Sequence, residues 1–168
     1  MKDCLVRPVS TTTDSAAIAE IYNHYIRHTV VTFEEVEITA EQMLDRINTI
    51  TLASLPWLVA EVSGKVVGYA YAGKFHTRSA YRFTAETTVY LEKNASGQGI
   101  GTRLYQALLL QLKQKNFHSI IGIIALPNEA SVKLHEKFDF KKIGHFSEVG
   151  NKFNQWLDVG YWQVVLNA

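Results

Sequence analysis

Apolar residues recur along this chain with two periods, and the period changes mark its elements. Leu5-Val6-Arg7-Pro8-Val9 is a short β-prone run. Thr12, Thr13 or Asp14 then stands where a helix cap belongs, ahead of Ile18, Ile21, Tyr22 and Tyr25 at helical spacing. Thr39-Ala40-Glu41-Gln42 fits a capping box, and the helix it starts puts Met43, Leu44 and Ile47 on one face. Trp57 to Val62 and Val66 to Gly73 predict two strands joined at Ser63-Gly64. Phe83 to Leu91, rich in β-branched and aromatic residues, predicts another. Arg103 to Leu112 is dense in helix formers. Ser119 to Ala125 is a continuous apolar run, the pattern of a strand covered on both faces. A short helix after Pro127-Asn128 ends near Phe138, and strands over Lys141–Phe146 and Asp158–Leu166 close the chain.

That order predicts an α/β (mixed α+β) fold, a central mixed sheet with helices on both faces. The chain of 168 residues, with 3 prolines, 10 glycines and no low-complexity block, reads as one domain over residues 1–168. A net charge of +1 implies no commitment to nucleic acid or to an anionic membrane. No run approaches the length of a membrane span, and Met1-Lys2-Asp3-Cys4 lacks the apolar region of a signal peptide, so the expected location is cytoplasmic. Cys4 is the single cysteine, which excludes an intrachain disulfide and reads as a small core residue. The 6 histidines show no spacing of metal ligands, so no metal is expected.

Candidate chemistry concentrates at Ser96-Gly97-Gln98-Gly99-Ile100-Gly101-Thr102, between a strand and a helix. Glycines let backbone N–H groups converge on one point, and a helix N-terminus adds unpaired donors and a positive dipole end. Together they form an anion cradle, most often for phosphate. A Walker loop would end in Gly-Lys-Ser/Thr, whereas Gly101 is followed by Thr102-Arg103. The spacing is not G-x-G-x-x-G in a dinucleotide context either. A side chain at Gly99 or Gly101 is expected to occupy the space a ligand needs.

This loop resembles the acyl-CoA pyrophosphate loop of the GCN5-related N-acetyltransferases, Q/R-x-x-G-x-G/A, with Gly99 and Gly101 on the glycine positions and Ser96 where Gln or Arg is usual. Asn23-His24-Tyr25-Ile26, Trp57-Leu58-Val59-Ala60-Glu61, Thr84-Ala85-Glu86-Thr87-Thr88-Val89-Tyr90, Leu126-Pro127-Asn128, Leu134-His135-Glu136 and Asp158-Val159-Gly160-Tyr161-Trp162-Gln163 look like the phosphinothricin acetyltransferase subfamily. These runs keep their order over nearly the whole chain.

The resemblance implies two parallel strands that splay apart beside the glycine loop, with the pantetheine arm of acetyl-CoA in the gap. It implies cofactor contacts from Val89, Tyr90 and Leu91, from Gly97, Gln98, Gly99, Ile100, Gly101 and Thr102, and from Asn128 and Ser131. Transfer of an acetyl group to an amine needs a base for the amine, donors for the developing oxyanion and an exit for the thiolate. Glu86 is the expected base, a carboxylate among Ala85, Thr87 and Val89 whose partial burial would raise its pKa. Backbone N–H groups near Val89 or Leu91 are the expected oxyanion donors. The subfamily carries a histidine at the position of His135, which could protonate the departing sulfur or relay a proton. Phe33, His76, Arg78 and Tyr81 are the expected acceptor-binding residues, Arg78 as a fork for a carboxylate.

The expected activity is direct acetyl transfer from acetyl-CoA to a small amino-acid-like amine of the phosphinothricin, methionine sulfoximine or methionine sulfone type. The family implies a homodimer. Three alternatives stay open on the sequence. An open peptide groove would favour a protein N-terminus or lysine as acceptor. A strongly acidic pocket would favour an aminoglycoside or polyamine. Acyl-CoA binding without turnover would mark a sensor.

Overall fold

A computed structural model of the protein describes residues 4–166; residues 1–3, where the chain start was read for a leader, and 167–168 lie outside the described residues. In chain order the elements are β1 (Cys4–Pro8), α1 (Ser15–His28), α2 (Ala40–Leu52), β2 (Trp57–Val62), β3 (Lys65–Lys74), β4 (Thr84–Leu91), α3 (Ile100–Gln114), β5 (Ser119–Leu126), α4 (Glu129–Lys137), β6 (Lys141–Lys152) and β7 (Gln155–Val165). The strands form one sheet in the order β1-β2-β3-β4-β5-β7-β6. Among the described residues only β4 and β5 are parallel, and α3 crosses over between them.

The local signals act largely as their chemistry requires. Thr39 Oγ1 accepts from the Gln42 N–H at 3.1 Å, and the Thr39 N–H donates to Gln42 Oε1 at 2.8 Å, so the capping box starts α2. Met43 and Ile47 are buried on that helix; Leu44 is half-buried. Asp14 is the residue before α1, but its carboxylate makes no cap bond. It accepts instead from both terminal nitrogens of Arg7, at 2.7 and 3.0 Å, and from the Ser10 N–H, pinning the end of β1 to the start of the helix. Cys4 is partly buried against the core on the α3 side.

Strand alternation sorts the side chains of the sheet onto two faces. Leu58, Ala70, Ala85 and Ile120 meet Leu104, Tyr105, Leu108 and Leu112 of α3. Trp57, Val59 and Tyr69 meet Ile18, Ile21, Ile26, Met43 and Ile47 of α1 and α2. Small alanines on the α3 side allow that helix to approach closely.

Two expectations shift. The last hairpin is longer than predicted: β6 runs to Lys152 and pairs with β7 from Gln155 to Gln163, with register shifts between Lys142/Gly144 and Phe146/Gly150. Phe153 and Asn154 turn the chain with φ of 52° and 60°, a conformation usually signalled by Asn-Gly or Asp-Gly. Phe83 precedes its strand and is exposed, with the Arg82 guanidinium 4.6 Å above its ring.

Candidate active site

The pairing of β4 with β5 is short. It runs from Thr84↔Ser119 to Thr87↔Gly122 and stops, although β4 continues to Leu91 and β5 to Leu126. Beyond Gly122 the strands diverge, and a cleft of about 850 Å³ opens between them. Ile123 is exposed into this gap, so the apolar run of β5 is not covered on both faces along its whole length. The Glu92 N–H donates to Val67 O on the β3 side. Alternation along a strand then turns the N–H groups of Val89 and Leu91 toward the open side. The Leu91 carbonyl is taken by the Tyr25 hydroxyl at 2.8 Å.

One wall of the cleft is the glycine loop. Ser96, Gly97, Gly99, Gly101 and Thr102 line it. Gly97 and Gly99 have φ of 76° and 77°, a region that side chains strain to enter. Gly99 stands at the N-cap of α3 with no side-chain cap bond, which leaves the first amides of the helix for a ligand. A Cβ on Gly99 would meet nothing within 4 Å, whereas one on Gly101 would meet Leu91 Cδ1 at 3.4 Å and Leu134 Cδ2 at 3.8 Å. The constraint on Gly99 is therefore conformational; at Gly101 a Cβ makes ordinary contacts, and only a bulkier side chain would press on Leu91 and Leu134. Gln98 and Ile100 do not line the cleft: the Gln98 amide folds back to Asn94 O at 2.7 Å, and Ile100 is in the core.

Glu86 projects from the α1/α2 face of β4 into the cleft, opposite Gly73 of β3. Burial raises its pKa, and only the charge of His76 pulls it back. Among the described residues no donor hydrogen-bonds its carboxylate. Glu86 is also the only carboxylate among the described residues lining the cleft. An acidic pocket for a polycation is not what the chain builds.

His135 sits where the fork closes. Its Nδ1 lies 2.8 Å from Ser131 O, an acceptor, so Nδ1 carries the proton and Nε2 is a bare lone pair. That Nε2 is buried without a partner, and a Cβ on Gly122 would fall 2.3 Å from it. Burial pushes its pKa below the ordinary histidine value, so it is neutral at pH 7. The proton donor expected from the sequence is here a group with no proton facing outward. Asn128 caps α4, its Oδ1 accepting from the Ser131 N–H at 3.1 Å; its amide nitrogen is left for a ligand, and both residues line the cleft.

The expected acceptor residues separate. Phe33 lines the cleft, and His76 acts on Glu86 through its charge, but His76, Arg78 and Tyr81 are not part of the cleft wall. They lie on the exposed loop between β3 and β4, where the His76 and Tyr81 rings meet at 4.9 Å. Tyr25, Thr32, Tyr71, Thr88, Lys133 and Lys137 also line the cleft, without having been named as site residues in the sequence. The two lysines, one helical turn apart, carried a readable signal for an anion; the tyrosines read only as core. Among the described residues no group of three His, Cys, Asp or Glu could hold a metal ion, and no helix is long and apolar enough to cross a membrane.

The sequence model of the Acetyltransferase (GNAT) domain matches residues 9–160. The chain is 40% identical to the phosphinothricin N-acetyltransferase of Streptomyces viridochromogenes over 158 residues, 94% of this chain and 85% of that protein. It is 32% identical to the L-methionine sulfoximine/L-methionine sulfone acetyltransferase of Salmonella typhimurium over 154 residues, 92% of this chain and 90% of that one. A GNAT superfamily phosphinothricin acetyltransferase from Sinorhizobium meliloti, solved in complex with AcCoA, superposes with a TM-score of 0.94 at 34% identity, covering 98% of this chain and 89% of that one. With these relatives, the forked sheet and the helix N-terminus at its mouth are those of an acyltransferase. The chain belongs to the GNAT acetyltransferase family.

Proposed function

We propose that this enzyme transfers the acetyl group of acetyl-CoA directly to the amino group of a small amino-acid-like acceptor, of the phosphinothricin, methionine sulfoximine or methionine sulfone type named for its relatives. The observation that carries this reading is the Glu86 carboxylate, unpaired and half-buried beside the closed end of the fork, with the glycine loop on the same cleft. Bound acetyl-CoA would supply an acetyl group activated as a thioester. The loop from Gly97 to Thr102 and the start of α3 suit its pyrophosphate, and the Asn128 amide suits the peptide-like pantetheine arm.

Glu86 takes the proton from the acceptor ammonium, whose neutral amine is the nucleophile. The Val89 and Leu91 N–H groups face the gap and serve the oxyanion. His135 acts as a positioning residue that seats α4 against Gly122. As the new C–N bond forms and the C–S bond breaks, the proton still on the acylated nitrogen passes to the departing thiolate, which is far less basic than an amide anion and needs little help to leave. His135→Phe, which keeps a ring there, should therefore leave kcat within about tenfold of wild type. A loss of about 10²- to 10⁴-fold, the size of general acid catalysis, would make His135 the proton donor instead.

The Arg78 loop is proposed to complete the acceptor site by folding over the cleft mouth, with Arg78 on the acceptor carboxylate. Arg78→Ala should raise the KM for a carboxylate-bearing acceptor about ten- to a hundredfold, the range of a charge-assisted hydrogen bond. The decarboxylated amine should lose little further. Equal penalties for both acceptors would assign Arg78 to the fold. A cytoplasmic homodimer completes the proposal; Phe146, Val149, Phe153 and Trp156, all exposed on the β6–β7 hairpin, offer an apolar surface for a second copy.

Turnover of acetyl-CoA against amino acids, sulfones, phosphinates, polyamines and peptides tests the reading. Acceptance of a sulfone or phosphinate amino acid is the expected result. Turnover confined to polyamines or peptides would overturn it.

A further inference from the structure

The mechanism leaves one buried cation unused. Lys152 ends β6 with only 1% of its surface exposed. No carboxylate pairs with it directly; Glu34 and Glu35 act on it from farther away, and burial lowers its pKa. Its Nζ donates to the Thr32 carbonyl at 2.8 Å. Gly150, two residues earlier and so on the same face of the strand, lies against the ring of Phe33, where an added Cβ would fall 2.2 Å from Cε2. Thr32 and Phe33 both line the cleft that holds Glu86.

The rest of this loop is anchored to the helices. The Tyr22 and Thr32 hydroxyls meet at 2.8 Å. Glu34 takes two bonds from Arg46, and the Asn23 amide pairs with both backbone groups of Ile38. Toward the hairpin, the hydrogen bond of Lys152 and the contact at Gly150 hold the segment that forms the acceptor wall. A buried ammonium is costly to keep and would be replaced by an apolar side chain if volume were all that mattered.

We infer that Lys152, together with Gly150, is a positioning residue for the acceptor site: the β6–β7 hairpin sets where Thr32 and Phe33 stand relative to Glu86. The inference rests on the proposal that the cleft beside Glu86 receives the acceptor amine. A wall displaced by a fraction of an ångström misplaces the amine and leaves the glycine loop untouched.

Lys152→Met keeps the length and removes the donor; Gly150→Ala presses on Phe33 from the same strand. Each should raise the acceptor KM by about ten- to a hundredfold, with the calorimetric Kd for acetyl-CoA within about twofold of wild type. Hydrogen exchange should quicken at amides 31–34 and stay unchanged in β4 and α3. Lys152→Arg, which keeps a donor, should recover part of the loss. If both variants keep wild-type acceptor KM and wild-type exchange at 31–34, the inference fails. It also fails if acetyl-CoA affinity drops in parallel, which would mark general disruption. If Lys152→Met does not fold, Gly150→Ala and Lys152→Arg carry the test. Exchange needs no turnover, so a wild type inactive on every small amine would sink the proposed function while the tie to residues 31–34 is still read.

Discussion

Glu86→Gln is expected to lower kcat by about 10²- to 10⁴-fold, the usual contribution of a general base, while the Kd for acetyl-CoA stays nearly constant. Glutamine keeps the size and cannot take the amine proton. Because burial raises the Glu86 pKa, the ascending limb of the wild-type pH profile should lie above the ordinary glutamate value of about 4.3, and the variant should lose that limb. The same shift has a stability consequence. A carboxyl whose folded pKa is raised binds its proton more tightly in the native state, so native stability falls as pH rises above the unfolded value. Glu86→Gln should therefore melt higher than wild type at pH 7, and the difference should vanish below about pH 4. Wild-type turnover in the variant would leave Glu86 a structural residue.

Gly99→Val is expected to weaken acetyl-CoA binding at least about tenfold, about 1.4 kcal/mol. Gly99 holds φ of 77°, and a side chain there costs roughly 1–2 kcal/mol before any contact is considered. A β-branched residue escapes by moving the backbone, and the backbone is the cradle. Gly101→Val should also lower affinity, through a different contact: its new methyls would push on Leu91 and Leu134 and shift the end of β4. Calorimetry on folded variants reads both. Unchanged affinity in Gly99→Val would remove the loop from the cofactor site.

Part of this protein was legible one residue at a time. Period and capping chemistry are local, so α2 begins at its capping box and α3 at its glycine, as the side chains require. A turn, a helix start and a cap are written in adjacent residues, so the anion cradle of the glycine loop was legible locally, whereas a cofactor contact for Asn128 was only what the resemblance implied; the structure puts Gly97, Gly99, Gly101 and Asn128 on one cleft. Glu86 stood out as a charge in an apolar strand. Both strands of the late hairpin were legible, but not their extension to Lys152 and back to Gln155, because Phe153-Asn154 adopts its turn without the glycine that usually announces one.

What tertiary structure decided is everything that depends on distance between strands. From their residue patterns both β4 and β5 read as ordinary strands; the fork was only what the resemblance implied, and it is their shared register, ending at Thr87↔Gly122, that makes it and exposes Ile123. His135 looked like a proton donor in sequence; the Ser131 carbonyl on one nitrogen and Gly122 against the other fix its tautomer and bury its lone pair. Lys152 gave no sign of reaching Thr32, 120 positions earlier. Sequence patterns carry the geometry of neighbours a turn or a pleat apart. A proton's position, a pKa and the width of a cleft are set by groups far apart in the chain, and folding alone brings those together.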